Sequence, residues 1–330
     1  MIEARRKETV PEWNEMLKGA RVLAETLTDV KPGEEVLILI DVDRSFRIAE
    51  VAAEAVRERS GVPVVLRMDT LPLPNTEPPA IVAAAMERAD VIMGFLSKSV
   101  FHTQARLRAS KRGARMISAT GIVEDTLVRG LIKADFFAIK PVLDDIAERL
   151  TAGRKIRIAG AAGTHLTATI EGRQANREIW SREKGQVSGA PGIEVNIPPL
   201  EGTAEGLIVI DASIASMGLI HEPVKLIVEK GRVTRIEGGE QAKQLAQLVS
   251  SAKDPAAYVV AEIGLGLNPE GKITGNIIED ESALGTGHIA LGNNTAHGGK
   301  NPAPIHLDMV FLNPTIEVDG QMIRLPDAPR

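Results

Sequence analysis

The apolar positions of the first 150 residues fall in short continuous runs separated by Ala-rich amphipathic stretches. Glu35 to Ile40 (EVLILI) follows the turn Lys31-Pro32-Gly33 and reads as a strand buried on both faces. Val62 to Met68, Asp90 to Phe95 and Ala114 to Ala119 repeat that texture. Between them, Phe46 to Glu58 and the stretch around Pro79 to Arg88 read as helices. Another helix starts near His102, and a helical stretch from Val142 to Leu150 closes this half. Alternating strands and helices predict βαβ units, with a parallel sheet covered on both faces.

From Thr151 onward the pattern changes to period two. Lys155 to Ile158 and His165 to Glu171 alternate as half-buried antiparallel strands do. Val224 to Ile236 predicts a hairpin turning at Lys230-Gly231, and Ile316 to Ile323 another, where Asp319-Gly320 suits a type I′ turn. Glu240 to Ser251 predicts one helix. The fold class is therefore α/β, with an N-terminal parallel-sheet domain over residues 1–150. A mainly antiparallel β domain follows over 151–330 and carries the metal-binding candidates.

Composition narrows the chemistry. The chain holds six Phe, two Trp and one Tyr and a net charge of −5. Few stacking rings and no positive excess argue against nucleic acid. It has no Cys, so any metal takes oxygen and nitrogen ligands. Met1 to Lys7 is charged with no apolar stretch behind it, unlike a secretory signal, and no run reaches the roughly 20 apolar residues of a membrane span. Cytoplasm is the expected location. No G-x-G-x-x-G follows a predicted strand, and the charge of Asp41-Val42-Asp43 would repel a pyrophosphate where that loop would be.

The chemistry concentrates in the C-terminal third. His288, His297 and His306 lie close together among glycines and asparagines (GTGHIALGNNTAHGGKN). His306-Leu307-Asp308 on an extended segment places an imidazole and a carboxylate on one face, as a pair of metal ligands or as a buried hydrogen-bonded pair. Glu262 interrupts an apolar run, Val260-Ala261-Glu262-Ile263-Gly264. There a charge needs a partner or a cation, unless the strand is an edge. Glu201 ends the Pro-rich loop Asn196-Ile197-Pro198-Pro199-Leu200-Glu201-Gly202, where glutamates are usually solvated. His297, between Ala296 and Gly298, reads as an exposed loop tip. Glu279-Asp280-Glu281 reads as the start of a helix.

The segments NIPPLEG (196–202), AEIGLG (261–266), GHIALG (287–292) and HLD (306–308), with GTHLTATIEGR (163–173) before them, resemble metallopeptidases of the aminopeptidase T and aminopeptidase S type. The resemblance implies a two-metal centre on Glu201, Glu262, His288, His306 and Asp308, and assembly as a homodimer. It departs at the Tyr those enzymes carry after the first His: Leu291-Gly292-Asn293-Asn294 stands there, and Tyr258 is elsewhere. A second branch of the same superfamily, the 2,5-dihydroxypyridine 5,6-dioxygenases, is similar in length. It shares the final His-x-Asp and a substrate-acting histidine in the N-terminal domain, for which His102 is the candidate. That branch is expected to carry a His where this chain has Glu262.

The first reading is accordingly a metal-dependent hydrolase, an aminopeptidase-like protease. It would use Zn, Co or Mn to activate a water against short peptides, with Glu201 as ligand or general base. The alternative is a single-Fe(II) ring-cleaving dioxygenase acting on a small dihydroxypyridine-like molecule. Its triad would be His288, His306 and Asp308, with His102 as proton acceptor. A non-catalytic structural metal fits an oxygen- and nitrogen-rich cluster on glycine loops less well.

Overall fold

A computed structural model describes residues 11–326; the charged segment Met1 to Lys7 lies outside them. The chain forms two compact units, one of residues up to Lys133 together with Trp180–Pro191, the other of Ala134–Ile179 and Gly192 onward. The expected single boundary near residue 150 differs on two counts. The helix before it opens the second unit, and twelve residues well beyond it return to the first.

In the first unit five parallel strands lie in the order Val62–Met68, Glu35–Asp41, Val91–Phe95, Arg115–Ser118, Val187–Gly189. The segment expected to repeat through Ala119 thus gains a fifth neighbour from a distant part of the chain. Glu35–Asp41 is buried from Val36 onward because it has strands on both sides, which is why it reads as an unbroken apolar run. Phe46–Glu58 and Ala80–Arg88 form the expected helices. Gln104–Arg112 begins at Thr103, whose side chain accepts from Arg106 N, and ends at Gly113 in the left-handed region at φ 104°.

Strand order reverses direction beside Glu35–Asp41, the place where open α/β sheets hold ligands. Here the chain's own carboxylate occupies it. Asp41 is buried and accepts from Ser97 N at 2.5 Å, Ser97 Oγ at 2.9 Å and Asp43 N at 3.2 Å.

The second unit holds two seven-stranded sheets in which every pairing is antiparallel. One contains both predicted hairpins, and at its second turn Asp319 and Gly320 have φ of 49° and 84°, as type I′ requires. The other runs Gly218–Leu219, Ser213–Ile214, His306–Leu312, Thr286–Gly292, Val260–Gly266, Glu194–Ile197, Asn176–Glu178. Helix Phe136–Ala152 starts earlier than expected, at Asp135, whose side chain accepts from Ala138 N; Pro141 lies within it. Glu240–Ser251 is the predicted helix. Among the described residues no helix is long and apolar enough to cross a membrane.

Candidate metal centre

Four neighbouring strands of the second sheet set the site by register. Glu262 lies opposite Ala290, which lies opposite Asp308. Gly264 lies opposite His288 on one side and Asn196 on the other; Gly266 lies opposite Glu194; Gly292 lies opposite His306. Because alternate residues share a face, Glu194, Asn196, Glu262, His288, His306 and Asp308 all project to one side. The intervening residues, such as Ile263, Ile289 and Leu307, fill the core behind. Gly264 sits where any side chain would displace His288.

The polar atoms converge. Glu262 Oε2 lies 3.3 Å from His306 Nε2, and His306 Nε2 lies 3.2 Å from Asp308 Oδ1. Glu262 Oε1 lies 3.3 Å from His288 Nε2, whose other neighbour is Glu194 Oε1 at 3.9 Å. Glu194 is held in turn by Asn196 Nδ2 at 3.1 Å. His306 Nδ1 donates to the carbonyl of Asn293 at 2.6 Å, which leaves Nε2 as the ligating nitrogen. Two groups, Glu262–His306–Asp308 and Glu194–Glu262–His288, each bring three ligand atoms within 4.8 Å of one another.

These residues fit a cation. Ligands bound at about 2.1 Å and at right angles stand about 3 Å apart, close to the separations in the first group. Glu262 is only 2% exposed, yet its Oε2 makes no hydrogen bond; nor do the buried Glu194 Oε2 and His288 Nδ1. A buried carboxylate oxygen without a donor is costly unless a positive charge faces it.

The electrostatics are those of carboxylates crowded with imidazoles. Burial pushes the Glu194 carboxyl up to about 7 despite His288 beside it, with Glu262 adding to the rise. Burial also acts to raise Glu262, but His297, His288 and His306 around it hold it well below the usual range. Burial would lower His288, yet Glu194 and Glu262 raise it to about 9. His306 is likewise raised, by Asp308 and Glu262 against burial. Burial and the neighbouring Asp308, Glu194 and Glu262 push Glu281 well above the carboxylate range.

His297 departs from the expectation of an exposed loop tip. It is 8% exposed, its Nε2 lies 3.3 Å from Glu262 Oε2, and its ring stacks on that of His306 with centroids 5.4 Å apart. Glu201 is not brought into the cluster: it belongs to neither three-ligand group and pairs instead with Arg173. Glu194 went unnoticed in the sequence. The sign that marked Glu262, a charge within an apolar strand (Ile193-Glu194-Val195), was equally present there. His102 belongs to the first unit, where its backbone N donates to Asn75 Oδ1 at 3.0 Å.

A family model for 2,5-dihydroxypyridine 5,6-dioxygenase matches residues 20–325, nearly the whole chain. The chain belongs to the 2,5-dihydroxypyridine 5,6-dioxygenase family. The 2,5-dihydroxypyridine 5,6-dioxygenase of Pseudomonas putida strain KT2440 is 27% identical over 260 residues, 73% of this chain and 71% of that one. The solved structure of the 2,5-dihydroxypyridine dioxygenase from Pseudomonas putida KT2440 superposes with a TM-score of 0.83 at 22% identity, covering 97% of this chain and 99% of that chain. Wild-type AmpT from Thermus thermophilus follows at 0.65 and 16% identity, covering 92% and 95%. The AmpT likeness establishes a shared fold. Family membership overturns the hydrolase, aminopeptidase and protease reading. In this chain the segments 261–266, 287–292 and 306–308 are adjacent paired strands of one sheet.

Proposed function

We propose that this dioxygenase-family chain is a single-Fe(II) enzyme that opens the ring of a small dihydroxypyridine-like substrate, with the metal on Glu262, His306 and Asp308. The convergence of these three ligand atoms around the buried Glu262 Oε2, which faces His297 and His306 at 3.3 Å without a well-formed hydrogen bond, carries the reading. This set replaces the triad of His288, His306 and Asp308. His288 Nε2 faces Glu262 Oε1 and orients that carboxylate from behind, as outer partners of metal ligands do. Oxygen and imidazole donors suit Fe(II), and family membership favours it over Zn, Co or Mn.

Fe(II) held by these residues would supply the redox chemistry that activates O₂ toward the ring. In dioxygenase chemistry one ring C–C bond breaks and each oxygen atom of O₂ enters the product. Asn293 O keeps the His306 tautomer fixed, with Nε2 toward the ion. Burial and the nearby carboxylates of Asp308, Glu194 and Glu262 raise the Glu281 carboxyl, which favours its protonated form. His102 is the proton acceptor for a ring hydroxyl in this reading, on the strength of the family resemblance.

The test is anaerobic reconstitution with Fe(II), metal analysis, and oxygen uptake on 2,5-dihydroxypyridine. One equivalent of iron and one O₂ consumed per ring opened are expected. His306→Ala and Asp308→Ala should lose the iron. Full iron content in both variants, or no uptake on any dihydroxypyridine, overturns the proposal.

A further inference from the structure

The loop 293–301 has the composition of a mobile segment. It carries Gly298 and Gly299 in succession, with φ of 90° at Gly298, and no run of apolar residues to anchor it. Yet it holds His297 buried against Glu262 and His306. Ordering a glycine pair costs backbone entropy that other contacts must offset.

The shortest of those contacts come from two residues distant in sequence; Asn176 Nδ2 adds longer ones to His297, 3.4 Å to Nδ1 and 3.5 Å to its carbonyl, and Asn301 Nδ2 donates to Ala256 O at 2.9 Å. Glu201 Oε1 accepts from Asn294 Nδ2 at 2.9 Å and from Lys300 N at 2.7 Å. Glu201 Oε2 accepts from Arg173 Nη2 at 2.5 Å, and Arg173 Nη1 donates to Gly298 O at 2.7 Å. Arg173 is buried and Glu201 partly exposed, so this is a charge-assisted pair with one desolvated partner. The loop is therefore gripped before His297, immediately after it, and again at Lys300. Within it Asn294 Oδ1 accepts from Asn301 N at 2.8 Å, and Gly299 packs so closely that a β-carbon there would lie 2.1 Å from the Asn294 side chain.

We infer that Arg173 and Glu201 form a clamp that positions His297 against Glu262 and His306, so that Glu201 serves the site through the loop and not as a metal ligand. Both Glu201 oxygens are committed to donors from the chain, whereas Glu262 Oε2 is not. The inference rests on the metal lying at Glu262, His306 and Asp308; the grip on the loop does not.

The test uses the full chain loaded with Co(II), in wild type, Glu201→Gln, Arg173→Met and His297→Asn. Three quantities are read: cobalt per chain, the visible d–d spectrum, and amide hydrogen exchange across 294–301. Both clamp variants should retain one cobalt. Exchange in the loop should rise by about tenfold or more in each, while the sheet strands stay protected. Their spectra should shift toward that of His297→Asn, a change that simple destabilisation elsewhere would not produce. Loss of cobalt from Glu201→Gln with unchanged loop exchange would make Glu201 a ligand and overturn the clamp. So would unchanged exchange in both variants. If Glu201→Gln fails to fold, Arg173→Met carries the same readings. If wild type takes up no cobalt, the metal site is refuted, while loop exchange still decides the clamp.

Discussion

Gly264 and His288 stand opposite each other on adjacent strands, and a β-carbon on Gly264 would lie 1.9 Å from His288 Nε2. The glycine is there to admit an imidazole. Its backbone is not in the left-handed region, so the constraint is space alone. Gly264→Ala should push His288 away from Glu262. Overpacking of this kind costs about 1–3 kcal/mol, and loss of an outer partner weakens metal binding by about 10- to 100-fold. Thermal melts and a metal titration check both; wild-type affinity in the variant would show that His288 does not orient Glu262.

Metal binding should strengthen with rising pH. Burial works against charge on His306, but Asp308 and Glu262 outweigh it and hold the ring protonated well above its ordinary range. An entering cation must expel that proton, since imidazole ligates only when neutral. Titration calorimetry near neutral pH, in two buffers of different ionisation enthalpy, should record proton release on loading. Equal heats in the two buffers would refute it.

Acid should weaken the first unit through Glu34. Its carboxylate takes both ends of the Arg115 fork, at 2.9 and 2.6 Å, and Arg115 is almost wholly buried. Burial tends to raise the Glu34 carboxyl, but the Arg115 bonds and charge hold it below its ordinary 4.5. A depressed folded value means that the contribution is present above the unfolded value and fades as pH falls through the folded one. Glu34→Gln should cost about 1–3 kcal/mol at neutral pH. It should also flatten the loss of stability below about pH 4.5, measured by urea melts across pH. An unchanged acid limb would exclude this pair as its source.

Asp41 offers a third measure of stability. Asp41→Ala would leave the part-buried donors of Ser97 without their acceptor, at a cost of about 1 kcal/mol each. Asp41→Asn keeps the shape and an acceptor oxygen, so its denaturant midpoint should lie between those of the alanine variant and wild type. Equal midpoints for the two variants would mean that the acceptor itself contributes little.

Much of this was legible in the sequence because it depended on local period. The strand Glu35–Asp41 and the helix Phe46–Glu58 announced themselves by their apolar spacing. His306 and Asp308 share a face by alternation alone, and Glu262 stood out against its apolar neighbours. What escaped depended on contacts between distant parts of the chain. His297 is buried because Arg173, 125 residues earlier than Gly298, holds the next carbonyl; no window around His297 contains that information. Glu201 is a clamp for the same reason. Val187–Gly189 joins the parallel sheet only through pairing with Arg115–Ser118, and three residues are too few to show a period.

Ala290 stands between Glu262 and Asp308, one strand from each. Its small side chain shares their face, and the strands are set by backbone pairing and by the core on the other face, where Ile263, Ile289 and Leu307 are buried. Strand spacing and register around residue 262 are therefore fixed by main chain and core rather than by its carboxylate. A change of side chain on this face alters what the site can hold while leaving intact the sheet that carries it.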